Sequence, residues 1–582
     1  MNSSFSNNDI YPRFDRKFLE SGEVITSIGD GSLGGKASGL ALIKKTLQEK
    51  ISSNEFPDVI INIPRMVVIR TDVFDAFMSR NNLYEIAYSD EPDEHIAMAF
   101  INASLPTEIL GDLRSLVENI HVPLAVRSSS MLEDAKHEPF AGIYATKMIP
   151  NNHPDPDQKF IVLREAIKFV YASTFFKAAK DYFKVSSHSI QDEKMAVIIQ
   201  EVVGQQYYDR FYPNFSGVAR SFNYYPAGRS KPEHGVVNLA LGLGKTIVDG
   251  GLVWSYSPLS PKSGPPFGDP YDMMKNTQTT FWAVNMNPVS EYTPAKETEY
   301  MNHLSLTEAD YDSTMKNIAS TYDVSSQRIV LGIGVDGPRV LNFAPLLGMN
   351  EFRFNDLVKK LLKVCEEALS SPIEIEFAVS VLKNEGKIRF GFLQVRPMVV
   401  PDESIELEEK ELFGGDVLLA SDRAMGNGIV ENILDVVFVM PETFDKKNTL
   451  KIAEEVDAIN RKLVSENTKY VLIGFGRWGS SDPWLGIPVE WSQIAGAKVI
   501  VESTLFGINV ELSQGSHFFH NLTSFKVNYF SITFDGQFKI DWKWLDNQKV
   551  ISETEFVKHV KLEKPLQIKV DGRKSRGVIK KW

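Results

Sequence analysis

The chain has 582 residues, of which 43% are hydrophobic and 24% are charged, and this ordinary globular balance excludes collagen-like and disordered classes. Its 63 Lys+Arg and 75 Asp+Glu residues give a formal net charge of −12, which repels a polyphosphate backbone and excludes nucleic acid as the main partner. No window approaches the roughly 18 uninterrupted apolar residues of a membrane span. Residues 1–15 lack the apolar core of a signal peptide, and the single cysteine, Cys365, suits a reducing compartment. We therefore expect a cytoplasmic protein without a membrane partner.

Changes in composition along the chain predict two large parts. Residues 1–27 form a polar lead-in, and from 28 to 400 β-rich apolar runs alternate with helical stretches, which predicts an α+β or α/β body. Residues 401–412 are acidic and predict a linker. Residues 413–582 are enough for one further α/β domain, whose role the pattern does not define.

The first candidate site is the glycine-rich stretch 31–40, which contains Lys36. Apolar residues at Leu40, Ile43 and Leu47 follow with the spacing of one helix face, so a helix should run to about Gln48. A glycine-rich turn at a helix N-terminus exposes backbone N–H groups to an anion, and Lys36 would add a positive charge. The alternative is a solvent-exposed lysine at an ordinary helix start.

The second candidate is Arg127, which ends a short apolar strand and precedes three serines. Its planar fork of donors suits phosphate oxygens. The alternative is a serine-rich surface turn with a salt-bridged arginine.

A predicted hairpin carries the third candidate. Glu374 and Glu376 share one face of a strand, and Gln394 and Arg396 share one face of the next. A loop over 384–386 would place Glu376 opposite Gln394 and Glu374 opposite Arg396. A carboxylate and an amide oxygen are hard ligands suited to Mg²⁺. The alternative is an amphipathic hairpin with a cross-strand Glu–Arg pair.

Two glycine-rich stretches resemble nucleotide motifs without matching them. Residues 238–251 lack the first glycine of a P-loop, because Leu239 stands there. Residues 474–479 spell G-x-G-x-x-G, but Pro483 disfavours the helix that a dinucleotide fold needs. A tight loop packing Trp478 and Trp484 is favoured there, with an anion-binding nest beside Arg477 as the alternative.

Two histidines, His517 and His520, lie three residues apart in the C-terminal part. Structural histidines are the ordinary outcome for such a pair. The alternative is that one of them accepts a phosphoryl group or acts as a general base.

Several of these stretches occur in an order that resembles the ATP-binding domain of the phosphoenolpyruvate synthase and pyruvate phosphate dikinase family. The resemblance covers about residues 28–398 and implies an ATP-grasp-type fold, in which two lobes clamp ATP with Mg²⁺ and the hinge lies near 200–204. The stretches that carry it are 34–40, 126–129, 133–134, 140–142, 195–200, 238–251, 374–376 and 394–397.

The resemblance also implies roles for individual residues. It implies phosphate contacts for Lys36 and Arg127, and Mg²⁺ ligation by Glu376 and Gln394. The remaining implied roles are a lining of the site by Glu374 and Arg396, and backbone contacts to adenine by Glu201 and Val203.

The chain departs from the family after residue 398. No Thr-x-His phosphohistidine motif follows, and the remaining length is too short for a pyruvate-binding barrel. We therefore expect an ATP- and Mg²⁺-dependent phosphotransferase, or kinase, with an unidentified acceptor. Arg127, Arg396, His517 and His520 are its candidate catalytic residues. The alternatives are a non-catalytic ATP sensor and the nucleotide-binding half of a split synthase, whose partner chain carries the histidine and barrel domains.

Overall fold

The computed structural model describes residues 11–52, 54–133, 142–186, 188–224, 226, 230–262, 264–265, 269–398, 400, 405–480, 482–505, 518, 521–522 and 525–582. The chain divides into two compact units. Unit 1 comprises Met1–Ser221, Val236–Thr246 and Val253–Pro397, and unit 2 comprises Phe222–Gly235, Ile247–Leu252 and Met398–Trp582. Within the described residues, no helix has the length and apolar character needed to cross a membrane.

Unit 1 mixes strands and helices. Its strands are β1 Ile25–Ile28, β2 Val59–Asn62, β3 Met66–Ile69, β4 Leu124–Ser130, β5 Thr146–Ile149, β6 Met195–Glu201, β7 Gln205–Tyr207, β8 Arg210–Tyr212, β9 Phe215–Arg220, β10 Val236–Ala240, β11 Trp254–Tyr256, β12 Thr280–Asn285, β13 Met301–Ser305, β14 Ser320–Asp323, β15 Arg328–Val330, β16 Arg339–Val340, β17 Ile373–Leu382 and β18 Lys387–Pro397. Its helices are α1 Gly34–Lys50, α2 Thr71–Arg80, α3 Tyr84–Tyr88, α4 Asp93–Asn102, α5 Thr107–Asn119, α6 Pro156–Ser173, α7 Lys177–Val185, α8 Lys245–Val248 (which continues into unit 2), α9 Pro270–Lys275, α10 Leu306–Tyr311, α11 Ala344–Gly348 and α12 Phe354–Leu369.

The strands of unit 1 form separate sheets, and the connection between two of them is the predicted hinge. The sheet orders are β1-β3-β6-β4-β5, β11-β10-β9-β17-β18-β2, β13-β12-β8-β7 and β15-β14-β16. Strand β6 belongs to the first sheet and β7 to the third, so residues 202–204 carry the chain from one sheet to the other. This is the two-lobed α+β architecture of an ATP-grasp-type domain, as the sequence predicts.

Helices α1 and α12 pack where their apolar spacing places them. In α1, Leu40 and Ile43 are buried and Leu47 is partly buried against the same core, which confirms the predicted helix. In α12, Cys365 is fully buried. Burial raises the pKa of its thiol to about 12, so this cysteine is a packing residue rather than a nucleophile.

The hairpin β17–β18 has the predicted pairs at its functional end. Glu374 is opposite Arg396 and Glu376 is opposite Gln394. The turn occupies residues 383–386, one residue longer than predicted. A β-bulge between Glu376 and Phe377 absorbs the difference. The predicted loop was therefore wrong by one residue, while the register at the site was right.

Unit 2 contains an α/β fold built around one large sheet. Its strands are β19 Val417–Ser421, β20 Ala424–Met425, β21 Gly428–Val439, β22 Tyr470–Phe475, β23 Arg477–Trp478, β24 Gly486–Ile487, β25 Ala497–Ser503, β26 Asn528–Ile532, β27 Lys549–Glu553, β28 Val557–Asp571 and β29 Arg576–Lys580, and its helices include α13 Thr449–Ser465 and α14 Trp542–Asp546.

The large sheet of unit 2 has the order β19-β29-β28-β21-β22-β25-β26-β20, with β27 added on β28. Strands β21, β22, β25 and β26 run parallel to their neighbours among these four.

The described part of the predicted acidic linker, from residue 405 onward, is anchored by buried side chains. Leu407 and Leu412 are buried with Phe538, so the segment from 405 onward packs into unit 2.

Candidate functional site

The loop that carries Lys36 lies tightly against strand β4. Gly34 has φ +76°, and a Cβ at that position would lie 1.7 Å from the carbonyl oxygen of Ser129, so only glycine fits there. Ser129 Oγ donates to the Leu33 carbonyl over 2.9 Å and accepts from Ala37 N–H over 3.3 Å. The serines after Arg127 therefore fix the start of α1 against β4.

Lys36 is paired with a carboxylate in this structure. Its Nζ lies 2.7 Å from Glu133 Oε1 and 3.2 Å from Ser128 Oγ. Glu133 is 1% exposed, and its other oxygen accepts from the Ser130 N–H over 3.0 Å. Glu133 therefore holds the ammonium group at the N-terminus of α1, the place at which the sequence predicts an anion site.

Arg127 is brought to the functional end of the hairpin. Its Nη2 donates to Gln394 Oε1 over 2.8 Å and lies 3.5 Å from Glu376 Oε2. Its Nη1 donates to the Leu393 carbonyl over 3.2 Å and to Gln200 Oε1 over 3.4 Å. The side chains of Arg127 and Glu376 are 13% and 14% exposed, so this contact is partly accessible to a ligand.

Glu376 and Gln394 both contact Arg127, and this bears on whether they could hold a divalent cation. One side-chain oxygen of each residue lies within 3.5 Å of Arg127 Nη2, so the two oxygens are close enough to share one positive charge. This donor set suits Mg²⁺, which takes one or two protein oxygens and completes its shell with water and phosphate. No group of three or more His, Cys, Asp or Glu residues in the described part of the chain could hold a metal, so a protein-only cage is not formed there.

Glu374 and Arg396 differ from their neighbours on the hairpin because they are buried, at 3% and 2% exposure. Arg396 Nε donates to Glu374 Oε1 over 2.8 Å, and Arg220 Nε donates to Glu374 Oε2 over 2.5 Å. Glu374 is thus held between two guanidinium groups. This ionic cluster anchors the hairpin to β9 beside the Glu376–Gln394 pair.

A small cleft of about 90 Å³ lies at the predicted hinge. It contains both residues assigned to adenine by the resemblance, Glu201 and Val203, and both apolar and polar side chains line it. Burial raises the pKa of Glu201, and the nearby charges of Arg65 and Arg389 partly offset that shift. The lining residues are Asn62, Pro64, Val122, Glu201, Val202, Val203, Gly204, Phe211 and Arg389.

Glu193, a buried carboxyl group close to Glu133, is not among the residues predicted from the sequence. Glu193 is 4% exposed. Burial raises its pKa to about 7, with a smaller contribution from the charge of Glu133 and an opposing one from Ser130. A single carboxyl two residues before an apolar strand has no pattern that would distinguish it from a solvated residue.

The C-terminal candidates have different outcomes. Arg477 is 2% exposed, and its Nη1 donates to the carbonyls of Gly250 and Gly251 over 2.6 and 3.2 Å. An anion-binding nest beside Arg477 is therefore disfavoured, because its guanidinium group is already hydrogen-bonded to backbone carbonyls. Trp478 is buried, whereas Trp484 is 60% exposed. His517 and His520 lie outside the described residues.

The fold and these contacts define a nucleotide-binding protein of the ATP-grasp type. The chain belongs to the family described as pyruvate phosphate dikinase, AMP/ATP-binding domain, whose model matches residues 30–413. That match confirms the family resemblance and supports ATP as a ligand. Comparison with curated proteins gives no match.

Proposed function

We propose that this protein is an ATP- and Mg²⁺-dependent phosphotransferase in which Arg127, Lys36, Glu376 and Gln394 handle the phosphates and the metal. The observation that carries the proposal is the contact of Arg127 with both Glu376 and Gln394. This contact brings together a cationic side chain of the kind that binds phosphate and two oxygens of the kind that bind Mg²⁺.

Phosphoryl transfer requires mainly positioning and charge stabilisation from the protein. Lys36 would exchange Glu133 for phosphate oxygens, and Arg127 would exchange Gln394 for a transferring phosphoryl group, which its fork can hold through two donors. Glu376 and Gln394 would then be the protein ligands of Mg²⁺, which supplies neutralisation of phosphate charge. Arg396 would act by keeping Glu374 and the hairpin in place.

The residue that accepts the phosphoryl group is a separate proposal from the binding of ATP. His517 and His520 are candidates, because the family's Thr-x-His motif is missing after residue 398. Their double replacement by alanine should abolish acid-labile, base-stable label from radioactive ATP if either histidine is the acceptor. Label that survives in the variant places the acceptor elsewhere.

The central test compares two carboxylates of the same hairpin. Glu376→Gln should greatly weaken the Mg²⁺ dependence of ATP binding and turnover, because it removes the charged metal ligand. Glu385→Gln, at an exposed position of the hairpin turn, should leave both unchanged. ATP and Mg²⁺ are titrated against each protein by calorimetry, and transfer is followed with ATP labelled at the β or γ phosphate.

Three outcomes of this experiment can be separated. Unchanged Mg²⁺ dependence in Glu376→Gln would overturn the metal assignment. ATP binding without any transfer or hydrolysis would favour the ATP sensor. Transfer that appears only after a second chain with histidine and barrel domains is added would favour the split synthase.

A further inference from the structure

Two buried carboxyl groups lie at the same end of the β4–β6 pair. The last pair of this antiparallel ladder is Ser130 and Met195. Beyond it the chain continues to Glu133 on one side and comes from Glu193 on the other. Antiparallel pairing therefore brings Glu133 and Glu193 close together, and the charge of Glu133 acts on Glu193. Their exposed fractions are 1% and 4%, so both carboxyl groups are largely shielded from solvent.

The two carboxyl groups have opposite surroundings. Glu133 Oε1 accepts from Lys36 Nζ over 2.7 Å and from Ser128 Oγ over 2.9 Å. Its other oxygen accepts from the Ser130 N–H over 3.0 Å. Neither oxygen of Glu193 has a hydrogen-bond partner among the described residues, and burial without a donor disfavours the charged form of a carboxyl group. Glu133 is therefore held as a carboxylate, and Glu193 is held as a neutral acid.

No cation among the described residues compensates a charge on Glu193. The charged side chain that acts on it is Glu133, which is also negative. Ser130 lowers the pKa of Glu193 in part, but burial is the larger effect and raises this pKa to about 7. The titratable and charged groups around Glu193 are Glu133 from the residues after β4, Tyr144 from the segment before β5, and the exposed Asp192 and Lys194 beside it in sequence, of which Lys194 pairs with Asp75 of α2.

The proposed exchange at Lys36 would change the charge balance of the two carboxyl groups. When the ammonium group moves to phosphate oxygens, Glu133 loses its cationic partner and keeps two neutral donors, Ser128 Oγ and the Ser130 N–H. A buried charge without its partner is strongly unfavourable, and a second negative charge on Glu193 would add to the cost, because adjacent carboxylates do not both ionise readily. A proton on the pair lowers this cost, so the neutral form of Glu193 makes the release of Lys36 easier.

We propose that Glu193 is a positioning residue that acts on Lys36 through Glu133: it shares its proton with Glu133 when Lys36 moves to the phosphates, so that nucleotide binding takes up a proton. The inference rests on the proposed function, in which Lys36 exchanges Glu133 for phosphate. The proton comes from solvent wherever Glu193 is ionised in the free protein, and it returns to solvent when the nucleotide leaves. Binding that takes up a proton weakens as pH rises.

Calorimetric titration in buffers of different ionisation enthalpy measures the proton uptake. ATP with excess Mg²⁺ is titrated against the full chain at pH 6, 7 and 8. The wild type should take up little at pH 6 and up to about one proton at pH 8, and its affinity for ATP should fall about fivefold to tenfold between these pH values. In Glu193→Gln, whose side chain stays neutral, the uptake should disappear and the affinity should hardly depend on pH.

Two controls separate this role from a purely structural one. Asp192→Asn replaces the exposed neighbour of Glu193 and should keep both the uptake and the pH dependence of the wild type. Adenosine has no phosphate for Lys36, so its binding to the wild type should take up no proton. This second comparison decides the question if Glu193→Gln is unfolded by circular dichroism.

The outcomes separate this inference from the proposed function. Absence of uptake by the wild type at pH 8, equal uptake in Glu193→Gln and wild type, or equal uptake with adenosine and ATP would overturn the role of Glu193 while ATP binding stands. A wild-type protein that does not bind ATP with Mg²⁺ would overturn both.

Discussion

Arg127 donates through Nη2 to the side-chain oxygen of Gln394 over 2.8 Å, although the two residues are 267 positions apart in sequence. The same nitrogen lies 3.5 Å from Glu376. A guanidinium group therefore sits between the two proposed metal ligands. In the proposed function, Arg127 would therefore have to exchange these two oxygens for phosphate oxygens when a magnesium nucleotide binds.

The first prediction concerns Arg127→Lys. Lysine keeps the charge but has no planar fork, so it cannot hold a transferring phosphoryl group through two donors. We expect turnover to fall by about 10²-fold or more, since comparable losses follow removal of one donor that stabilises a transition state. The affinity for ATP should fall much less. Single-turnover transfer and ATP titration measure the two quantities separately.

The matched control for this prediction is Arg328→Lys, at an exposed position of β15, which should change neither quantity. Equal losses of turnover and ATP affinity in Arg127→Lys would indicate simple ground-state binding instead.

The hairpin shows how much of this site can be predicted from sequence. Strict alternation fixes which side chains share a face, and a turn signal then sets the pairing, so the residue pattern alone is enough to place Glu376 opposite Gln394. The bulge after Glu376 could not be predicted, because the sequence contains no marker for an extra residue in one strand.

Burial and long-range pairing were less accessible to sequence reasoning. The local pattern places Glu374 and Arg396 on the functional face of the hairpin. Whether their side chains are exposed there depends on the neighbouring strand β9, which brings Arg220 to Glu374. The salt bridge between Lys36 and Glu133, which are 97 residues apart in sequence, likewise depends on packing between α1 and β4. Such contacts arise from tertiary structure and leave no local signal.

The second prediction concerns Glu374→Gln. The substitution keeps the side-chain volume but leaves Arg220 and Arg396 buried without their shared carboxylate. Removing one partner of a buried ionic cluster costs about 3–5 kcal/mol. We expect the midpoint of urea unfolding to fall clearly, as monitored by circular dichroism.

Glu376→Gln is the informative comparison for Glu374→Gln, since both carboxylates lie on β17. Glu376 is partly exposed and its contact with Arg127 is long, so its replacement should leave the unfolding midpoint nearly unchanged while it disturbs the binding of Mg²⁺ and ATP. If Glu374→Gln unfolds at the wild-type midpoint, the cluster with Arg220 and Arg396 does not stabilise the hairpin.

The third prediction concerns Glu193 and the dependence of stability on pH. Burial raises the pKa of this carboxyl to about 7 from a usual value of 4.5, and the neighbouring charge of Glu133 adds to the shift. The folded protein therefore binds this proton more tightly than the unfolded chain does. Where the folded state holds the extra proton, the free energy of unfolding decreases as pH rises.

The pH window follows from these two pKa values. The contribution of Glu193 is fully present below about pH 4.5, is lost progressively as pH rises towards 7, and is absent above that. A shift of this size corresponds to about 3 kcal/mol over the whole window. Glu193→Gln removes the titrating group, so the difference in unfolding free energy between variant and wild type should grow in favour of the variant from pH 5 to pH 8.

Urea unfolding of both proteins at several pH values between 5 and 8 measures this difference. Asp192→Asn provides the control, because Asp192 is the exposed neighbour of Glu193 and its replacement should leave the pH dependence of the wild type intact. Parallel curves for wild type and Glu193→Gln would mean that Glu193 ionises as freely in the folded protein as in the unfolded chain. In that case the carboxyl would have to be hydrated in the folded protein.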